Sequence, residues 1–145
     1  MPAAGSSSAR RDLLVDTSVA VPLVVADHEH HASVSRRLTR RRLGLAGHAA
    51  FETFSVLTRL PSPVRREPGV VDQILRAGFP ATRFLGADDA RTLLGRLASL
   101  GIAGGAVYDA LVGQVAVSHG LALATRDARA ADVYRALDVD LELID

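Results

Sequence analysis

Short apolar runs alternate along the chain with longer segments of helical periodicity. The runs have the length of buried strands, and the segments between them carry apolar residues every three or four positions. Five runs are predicted to be strands, at 13–15, 43–46, 82–85, 121–125 and 141–144. The intervening segments are predicted to be helices, at 19–25, 29–43, 48–60, 69–77, 88–100, 105–119 and 127–136.

Strands alternating with helices predict a parallel sheet covered on both faces. Right-handed crossovers then give a three-layer α/β/α sandwich with a central, mostly parallel sheet of four to five strands. In such sheets, ligands bind beyond the carboxyl ends of the strands. Residues 1–11 are small and polar and are predicted to be a disordered tail, whereas residues 12–145 are predicted to form one domain.

Composition removes several classes of chemistry. The chain has no cysteine, which excludes disulfides, zinc–thiolate sites and a cysteine nucleophile. All seventeen basic residues are arginine, so Schiff-base chemistry and Walker-type phosphate binding are excluded as well. No apolar run is long enough for a membrane span, and Asp16 and Pro22 interrupt the run that an export signal would need. We therefore expect a cytoplasmic protein with no membrane partner.

Charge is distributed unevenly. Residues 30–87 hold ten arginines and three acids, whereas residues 88–145 hold five arginines and nine acids. This indicates a polyanion groove beside a carboxylate site, or a polar interface, with unevenly solvated faces as the alternative. The densest basic cluster falls on the predicted helix 29–43, where four arginines share one broad face: Arg36, Arg37, Arg40 and Arg41.

Four acidic residues lie next to predicted strands or inside predicted apolar helices, where a charged side chain is unusual. Asp16 directly follows one predicted strand and Asp127 lies just past another, so both lie at the ligand-binding edge of the sheet, although Asp16 could also be a turn or cap residue and Asp127 a helix N-cap. Glu52 interrupts an apolar helix, and its alternative is a solvated surface glutamate. Asp109 is the only charged side chain between Arg96 and His119, so it must lie at a helix N-terminus, be paired, or bind a metal ion.

Together these carboxylates suggest a cation site made of oxygen ligands. Carboxylates gathered in one place repel each other, and a divalent cation relieves that repulsion. Hard oxygen ligands favour Mg²⁺ or Mn²⁺ over zinc. Such an ion can polarise a phosphoryl oxygen and activate a water molecule, which is the chemistry of phosphodiester hydrolysis.

At four places the sequence resembles a known family. These are Leu14-Val15-Asp16-Thr17-Ser18, Phe51-Glu52, Tyr108-Asp109-Ala110-Leu111 and Ala124-Thr125-Arg126-Asp127. In order and spacing they are similar to the PIN domain, most of all to the VapC toxins of bacterial toxin–antitoxin pairs. The resemblance implies an Mg²⁺- or Mn²⁺-dependent endoribonuclease that forms a homodimer and is inhibited by a small VapB-like antitoxin.

The resemblance also implies roles for individual residues. Asp16, Glu52, Asp109 and Asp127 would form the catalytic, metal-binding cluster. Thr17, Ser18 and Thr125 match flanking hydroxyl positions that hold a metal-bound water or a carboxylate.

Arginines are the candidate contacts to RNA. Arg36, Arg40 and Arg41 repel each other unless an anion is present, so RNA phosphate or an acidic antitoxin segment would suit them, with a solvated face as the alternative. Arg59 lies on the same helix face as Glu52 and is a candidate contact to a phosphate near the scissile bond. His48, one turn before Glu52, is expected to serve as a cap or surface residue, with a position facing the cleft as the alternative.

Two other functions remain open from the sequence. In a non-catalytic module, the acids would bind a cation weakly or serve as caps, and the basic region would bind RNA or a protein. A phosphatase with an aspartyl nucleophile would use Asp16, but that class has a second Asp where this chain has Ser18. Cleavage of an RNA pool with Mn²⁺ separates the first from a nuclease, and trapping of a phospho-aspartate would identify the second.

Overall fold

Four short strands form one parallel sheet. The computed structural model describes residues 11–145 and orders the strands β2-β1-β3-β4. The strands are β1 (Leu13–Val15), β2 (Leu43–Leu45), β3 (Ala122–Thr125) and β4 (Leu141–Leu143). The helices in these residues are α1 (Thr17–Val24), α2 (His31–Leu38), α3 (His48–Thr58), α4 (Pro68–Gly78), α5 (Ala87–Arg96), α6 (Ala106–His119) and α7 (Ala128–Ala136).

Side chains of β1 alternate between two hydrophobic cores. Leu13 and Val15 pack on one face of the sheet with Val34 of α2. Leu14 packs on the opposite face with Val115 of α6. Each fully buried aliphatic side chain of this kind contributes about 1.5–3 kcal/mol. Because both faces of the sheet are covered by helices, the predicted three-layer α/β/α sandwich is confirmed.

The predicted strand 82–85 does not form as a strand. Arg83 makes a single parallel bridge to Ala46, beside the edge strand β2. The Leu45 amide donates to the Thr82 hydroxyl at 2.9 Å, so a side chain takes the hydrogen bond that a continuing strand would have accepted through its backbone. The sheet described by residues 11–145 therefore has four strands.

The predicted helix 29–43 is also too long. Helix α2 ends at Leu38, and Arg40 adopts a left-handed backbone (φ 70°) in the turn that leads into β2. Arg40 and Arg41 consequently do not share a helical face with Arg36, and the predicted broad basic face is wrong in its geometry. The chain must reverse here to enter the sheet, and helical periodicity cannot reveal that requirement.

The predicted disordered tail, 1–11, lies outside the described residues except for Arg11, whose guanidinium donates to the Gly120 carbonyl at the end of α6. In the described part of the chain, no helix has the length and hydrophobicity needed to cross a membrane. The carboxyl ends of β1 and β3 lie side by side at the centre of the sheet, with Asp16 directly after β1 and Asp127 two residues after β3.

Candidate active site

Asp16 is fixed at the junction of β1 and α1. It is the N-cap of α1, where one oxygen accepts hydrogen bonds from the Ser18 amide (3.1 Å) and the Ser18 hydroxyl (2.5 Å). Its other oxygen accepts from the Thr125 hydroxyl of β3 (2.6 Å) and the Tyr134 hydroxyl of α7 (2.9 Å). Four protein hydrogen bonds therefore hold this carboxylate in place.

Burial dominates the electrostatics of Asp16. The residue is 5 % exposed, and loss of hydration raises the pKa of its carboxyl above the ordinary value of 3.8. The hydrogen bonds from Ser18, Thr125 and Tyr134 favour the charged form and lower the pKa in opposition. In turn, burial and the nearby Asp16 charge raise the pKa of Tyr134, so its hydroxyl stays a donor.

Asp127 is both a helix cap and a site residue. It is the N-cap of α7, and its Oδ1 atom accepts from the Arg129 amide (3.0 Å) and the Ala130 amide (3.2 Å). Its other oxygen has no hydrogen bond within residues 11–145 and remains available to a ligand. The cap interpretation of Asp127 is therefore confirmed for one oxygen, and its role as a metal ligand stays a prediction.

Asp109 lies in the first turn of α6, as the sequence suggested. Its carboxylate makes no hydrogen bond or ion pair with any residue of 11–145. Partial burial raises the pKa of Asp109, and the negative charges of Asp127, Glu52 and Asp16 raise it further, while Arg129 lowers it. A bound cation would favour the charged form of this half-buried carboxylate, which has like charges around it and no partner in 11–145.

Glu52 reaches the site from α3. Its Oε1 atom lies 3.2 Å from Nε2 of His48, one turn earlier, and its side chain is 44 % exposed. The His48 ring stacks on Tyr108, with ring centroids 4.9 Å apart and an angle of 22° between the planes. His48 begins α3, as expected for a residue at the helix end, but it also lines the cleft described below.

The four acids converge. Asp16, Glu52, Asp109 and Asp127 all line one small pocket of about 60 Å³, together with Thr17, Ser18 and Tyr134. This acidic pocket adjoins an open cleft of about 630 Å³ that shares Glu52, Asp109 and Asp127. The chain thus collects one carboxylate from each of four separate elements at the carboxyl ends of the central strands.

The three predicted hydroxyl residues have different surroundings. Ser18 and Thr125 contact Asp16 directly, and Ser18 also accepts from the Arg126 amide at 2.8 Å. Thr17 lines the acidic pocket, but its hydroxyl donates to the Ala49 carbonyl at 3.4 Å rather than to a carboxylate. Ser18 and Thr125 are therefore placed to orient Asp16, whereas Thr17 joins α1 to α3.

The arginines predicted to contact RNA lie elsewhere. Arg41 forms a two-bond ion pair with Glu142 of β4, at 3.0 and 3.2 Å. Arg36 is exposed on α2, and Arg59 is exposed at the end of α3. Within residues 11–145, neither these residues nor Arg40 lines the acidic pocket or the adjoining cleft. Their contact with RNA stays a prediction.

Sequence reasoning missed two residues of the site. Tyr134 is 1 % exposed and donates to Asp16, and a signal was present because a tyrosine inside an apolar helix face requires a hydrogen-bond partner. Arg129 lines the cleft beside Asp109 and Asp127. Its position two residues after Asp127 indicated the ligand-binding edge of the sheet. The prediction of RNA contacts instead used the denser arginine cluster at 36–41 and Arg59.

The ligand atoms suit a hard divalent cation. Asp109 and one oxygen of Asp127 have no protein partner in 11–145, and both face an environment of excess negative charge. No three acidic or histidine side chains of the described residues are close enough to hold an ion by themselves. Mg²⁺ needs no such cage, because it is usually bound through one or two carboxylates and keeps several waters.

Comparison with known proteins gives consistent matches. The sequence profile of the PIN domain matches residues 13–136. Ribonuclease VapC27 of Mycobacterium tuberculosis is 47 % identical over 127 residues, covering 88 % of this chain and 93 % of that protein. Ribonuclease VapC40 of the same species is 44 % identical over 131 residues, covering 89 % and 96 %.

Solved structures share the fold at low sequence identity. VapBC2 from Rickettsia felis, bound to a DNA fragment from its promoter, has a TM-score of 0.67 at 14 % identity and covers 93 % of this chain and 100 % of that one. VapC20 of M. tuberculosis, described as a sarcin–ricin loop cleaving toxin, has a TM-score of 0.64 at 19 % identity and covers 83 % and 94 %.

Proposed function

This chain belongs to the PIN domain family, and from that premise we propose that it is an endoribonuclease toxin of a type II toxin–antitoxin system. The observation that carries the proposal is the meeting of Asp16, Glu52, Asp109 and Asp127 in one pocket. The ribonuclease names of its relatives, at 44–47 % identity over most of both chains, support the same activity. Residues 12–145 are proposed as the functional domain.

The proposed cofactor is Mg²⁺ or Mn²⁺, held by the four carboxylates directly or through water. When bound, such an ion supplies positive charge that polarises the phosphoryl oxygen and promotes ionisation of the attacking water. Asp109 and Asp127 would provide the ligand oxygens that have no protein partner in 11–145. Asp16 would contribute charge from a position fixed by its four donors. The same four donors make Asp16 a poor nucleophile, which weighs against the aspartyl phosphatase.

The proposed partners are an RNA substrate, a small VapB-like antitoxin and a second copy of this chain, all in the cytoplasm. Support for the antitoxin comes from the similar solved structures, several of which are VapBC complexes. Arg36, Arg40, Arg41 and Arg59 remain proposed RNA contacts outside the acidic pocket, and Arg41 would first have to leave Glu142.

The test is cleavage of an RNA pool by the purified chain. Wild-type protein with Mn²⁺ should cut the RNA, and the same protein in EDTA should leave it intact. Asp16→Asn and Asp109→Asn should each lower the rate at least about 100-fold, because loss of even outer partners of a metal site costs 10- to 100-fold. The matched control is Asp132→Asn, which changes an exposed acid of α7 whose one ion pair within residues 11–145 is with Arg135.

Each outcome decides a separate point. Circular dichroism should show that the variants keep the fold. Cutting in EDTA, or cutting by Asp109→Asn at the wild-type rate, would contradict the metal-site assignment. Intact RNA with wild-type protein and Mn²⁺ would favour the non-catalytic module.

A further inference from the structure

The cleft beside the acidic pocket has an aromatic wall. Tyr108 is 53 % exposed and lines the cleft, whereas the other exposed aromatic residues, Phe51 and Phe84, contact each other. One side of the ring stacks on His48, which is itself held by Glu52. Tyr108 is therefore a supported, solvent-facing ring directly beside Asp109.

A cation lines the same cleft. Arg129 is exposed in the first turn of α7, and only its backbone amide is used in capping, by Asp127. Its guanidinium makes no hydrogen bond or ion pair with residues 11–145, in contrast to Arg91 and Arg135, which pair with neighbouring aspartates on their own helices. Arg129 is thus a positive side chain that is available to a ligand, in a cleft whose other charged side chains are mostly acidic.

We propose that this cleft is a subsite for one nucleotide of the RNA, in which Tyr108 stacks on the base and Arg129 binds a phosphate. The inference rests on the proposed function. The volume of about 630 Å³ is within the range of small-ligand pockets and admits a nucleotide. An aromatic ring offers a stacking surface to any base, and a guanidinium forms paired hydrogen bonds with phosphate oxygens.

The subsite also answers an electrostatic problem. Four carboxylates repel the RNA backbone. Among the described residues, Arg129 is the one arginine that lines the cleft, together with Asp109 and Asp127. A basic peptide segment would be attracted by the acids and by the face of the ring, but it would be repelled by Arg129. A nucleotide uses both features, with its phosphate at Arg129 and its base on Tyr108.

The experiment measures binding without cleavage. The Asp109→Asn chain is titrated in EDTA with short single-stranded RNAs that carry 2-aminopurine at successive positions, because stacking on an aromatic ring quenches this base. Tyr108→Leu in that background removes the ring but keeps an apolar side chain. It should abolish quenching at one position and weaken binding about 5- to 150-fold, which corresponds to about 1–3 kcal/mol for loss of one base–aromatic stack.

Two matched variants complete the test. Tyr108→Phe keeps the ring and should leave quenching and affinity within about twofold of the parent. Arg129→Gln should weaken binding of all sequences similarly and reduce the salt slope by about 0.7, the value for one phosphate contact on a single strand. Arg91→Gln, an exposed arginine of α5 that pairs with Asp88, should leave both unchanged.

The possible failures are distinguishable. The subsite is refuted if no position is quenched, if no saturable binding occurs, or if Tyr108→Leu behaves like Tyr108→Phe. Equal binding by the two variants alongside Mn²⁺-dependent cleavage by wild-type protein would remove the subsite and leave the nuclease. Ring-dependent quenching alongside intact RNA in the cleavage assay would remove the nuclease and leave a nucleotide-binding cleft.

Discussion

Replacing Tyr134 with phenylalanine removes a single hydroxyl from the surroundings of Asp16 and leaves the buried ring in place. That hydroxyl donates to Asp16 at 2.9 Å, and both residues are almost fully buried, so water cannot replace the lost donor. A hydrogen bond to a charged group contributes about 1.5–3 kcal/mol. Because three donors remain on Asp16, we expect a loss of about 2 kcal/mol at neutral pH, which lowers Tm by about 6–8 °C for a domain of this size.

The loss should depend on pH in a specified direction. Burial raises the pKa of Asp16 above 3.8, so the folded protein holds this proton over a pH range in which the unfolded chain has released it. Stability contributed by that proton is complete below the ordinary pKa and is lost as pH rises through the folded pKa. Without the Tyr134 hydroxyl, the pKa of Asp16 in the folded protein rises further. The decrease in stability with rising pH then extends over a wider pH range. The difference between variant and wild type therefore grows with pH, from about 1 kcal/mol in acid, where the hydrogen bond is neutral.

The assay is urea unfolding of both proteins in EDTA at several pH values between 4 and 8, with circular dichroism as the signal. Tyr108→Phe is the matched control, since it removes the hydroxyl of an exposed tyrosine and should change stability by less than about 0.5 kcal/mol. A difference between Tyr134→Phe and wild type that is constant with pH, or absent, would refute the claim that the hydroxyl stabilises the charged form of Asp16.

Two further predictions concern packing and metal binding. Gly44→Ala should prevent folding, because an added Cβ would lie 2.2 Å from the backbone of Ala81. Gly95→Ala has open space around the added Cβ and should stabilise α5 by up to about 1 kcal/mol. Thermal unfolding of the soluble protein compares the two variants, and a folded Gly44→Ala protein would contradict the close packing at Gly44. Mg²⁺ or Mn²⁺ at 100 times its dissociation constant should stabilise the wild-type chain by about 2.7 kcal/mol. The same concentration of the ion should stabilise the Asp109→Asn chain much less. Equal increases in Tm for the two proteins would show that the ion binds elsewhere.

The sequence carried enough information to predict the site wherever the signal was local. Asp16 and Asp127 each follow a run of apolar residues that is too short for a helix, so their place at the ends of strands followed from the pattern alone. Asp109 stood out because no other charge occurs near it in the helix. These features depend on neighbours within one element, and the structure brings the elements together as parallel strand order requires.

What could not be predicted depends on contacts between distant segments. The segment at Thr82 has strand-like residues, but a hydroxyl takes the hydrogen bond of Leu45, 37 positions earlier. Arg41 looked like part of a helical basic face, but it pairs with Glu142, 101 positions away. The hydrogen bond from Tyr134 to Asp16 spans 118 positions. Single-sequence periodicity contains no information on such pairs.

The two oxygens of Asp127 have a consequence for how substitutions at this position should be interpreted. One oxygen holds the first turn of α7, and the same helix carries Tyr134, which donates a hydrogen bond to Asp16 in the same pocket. Alanine at position 127 would therefore disturb a second carboxylate by loosening the helix between them. Asparagine is as good a cap as aspartate, so it would remove the charge and spare the helix. Comparing Asp127→Asn with Asp127→Ala therefore separates the contribution of the charge at this position from the contribution of the helix cap.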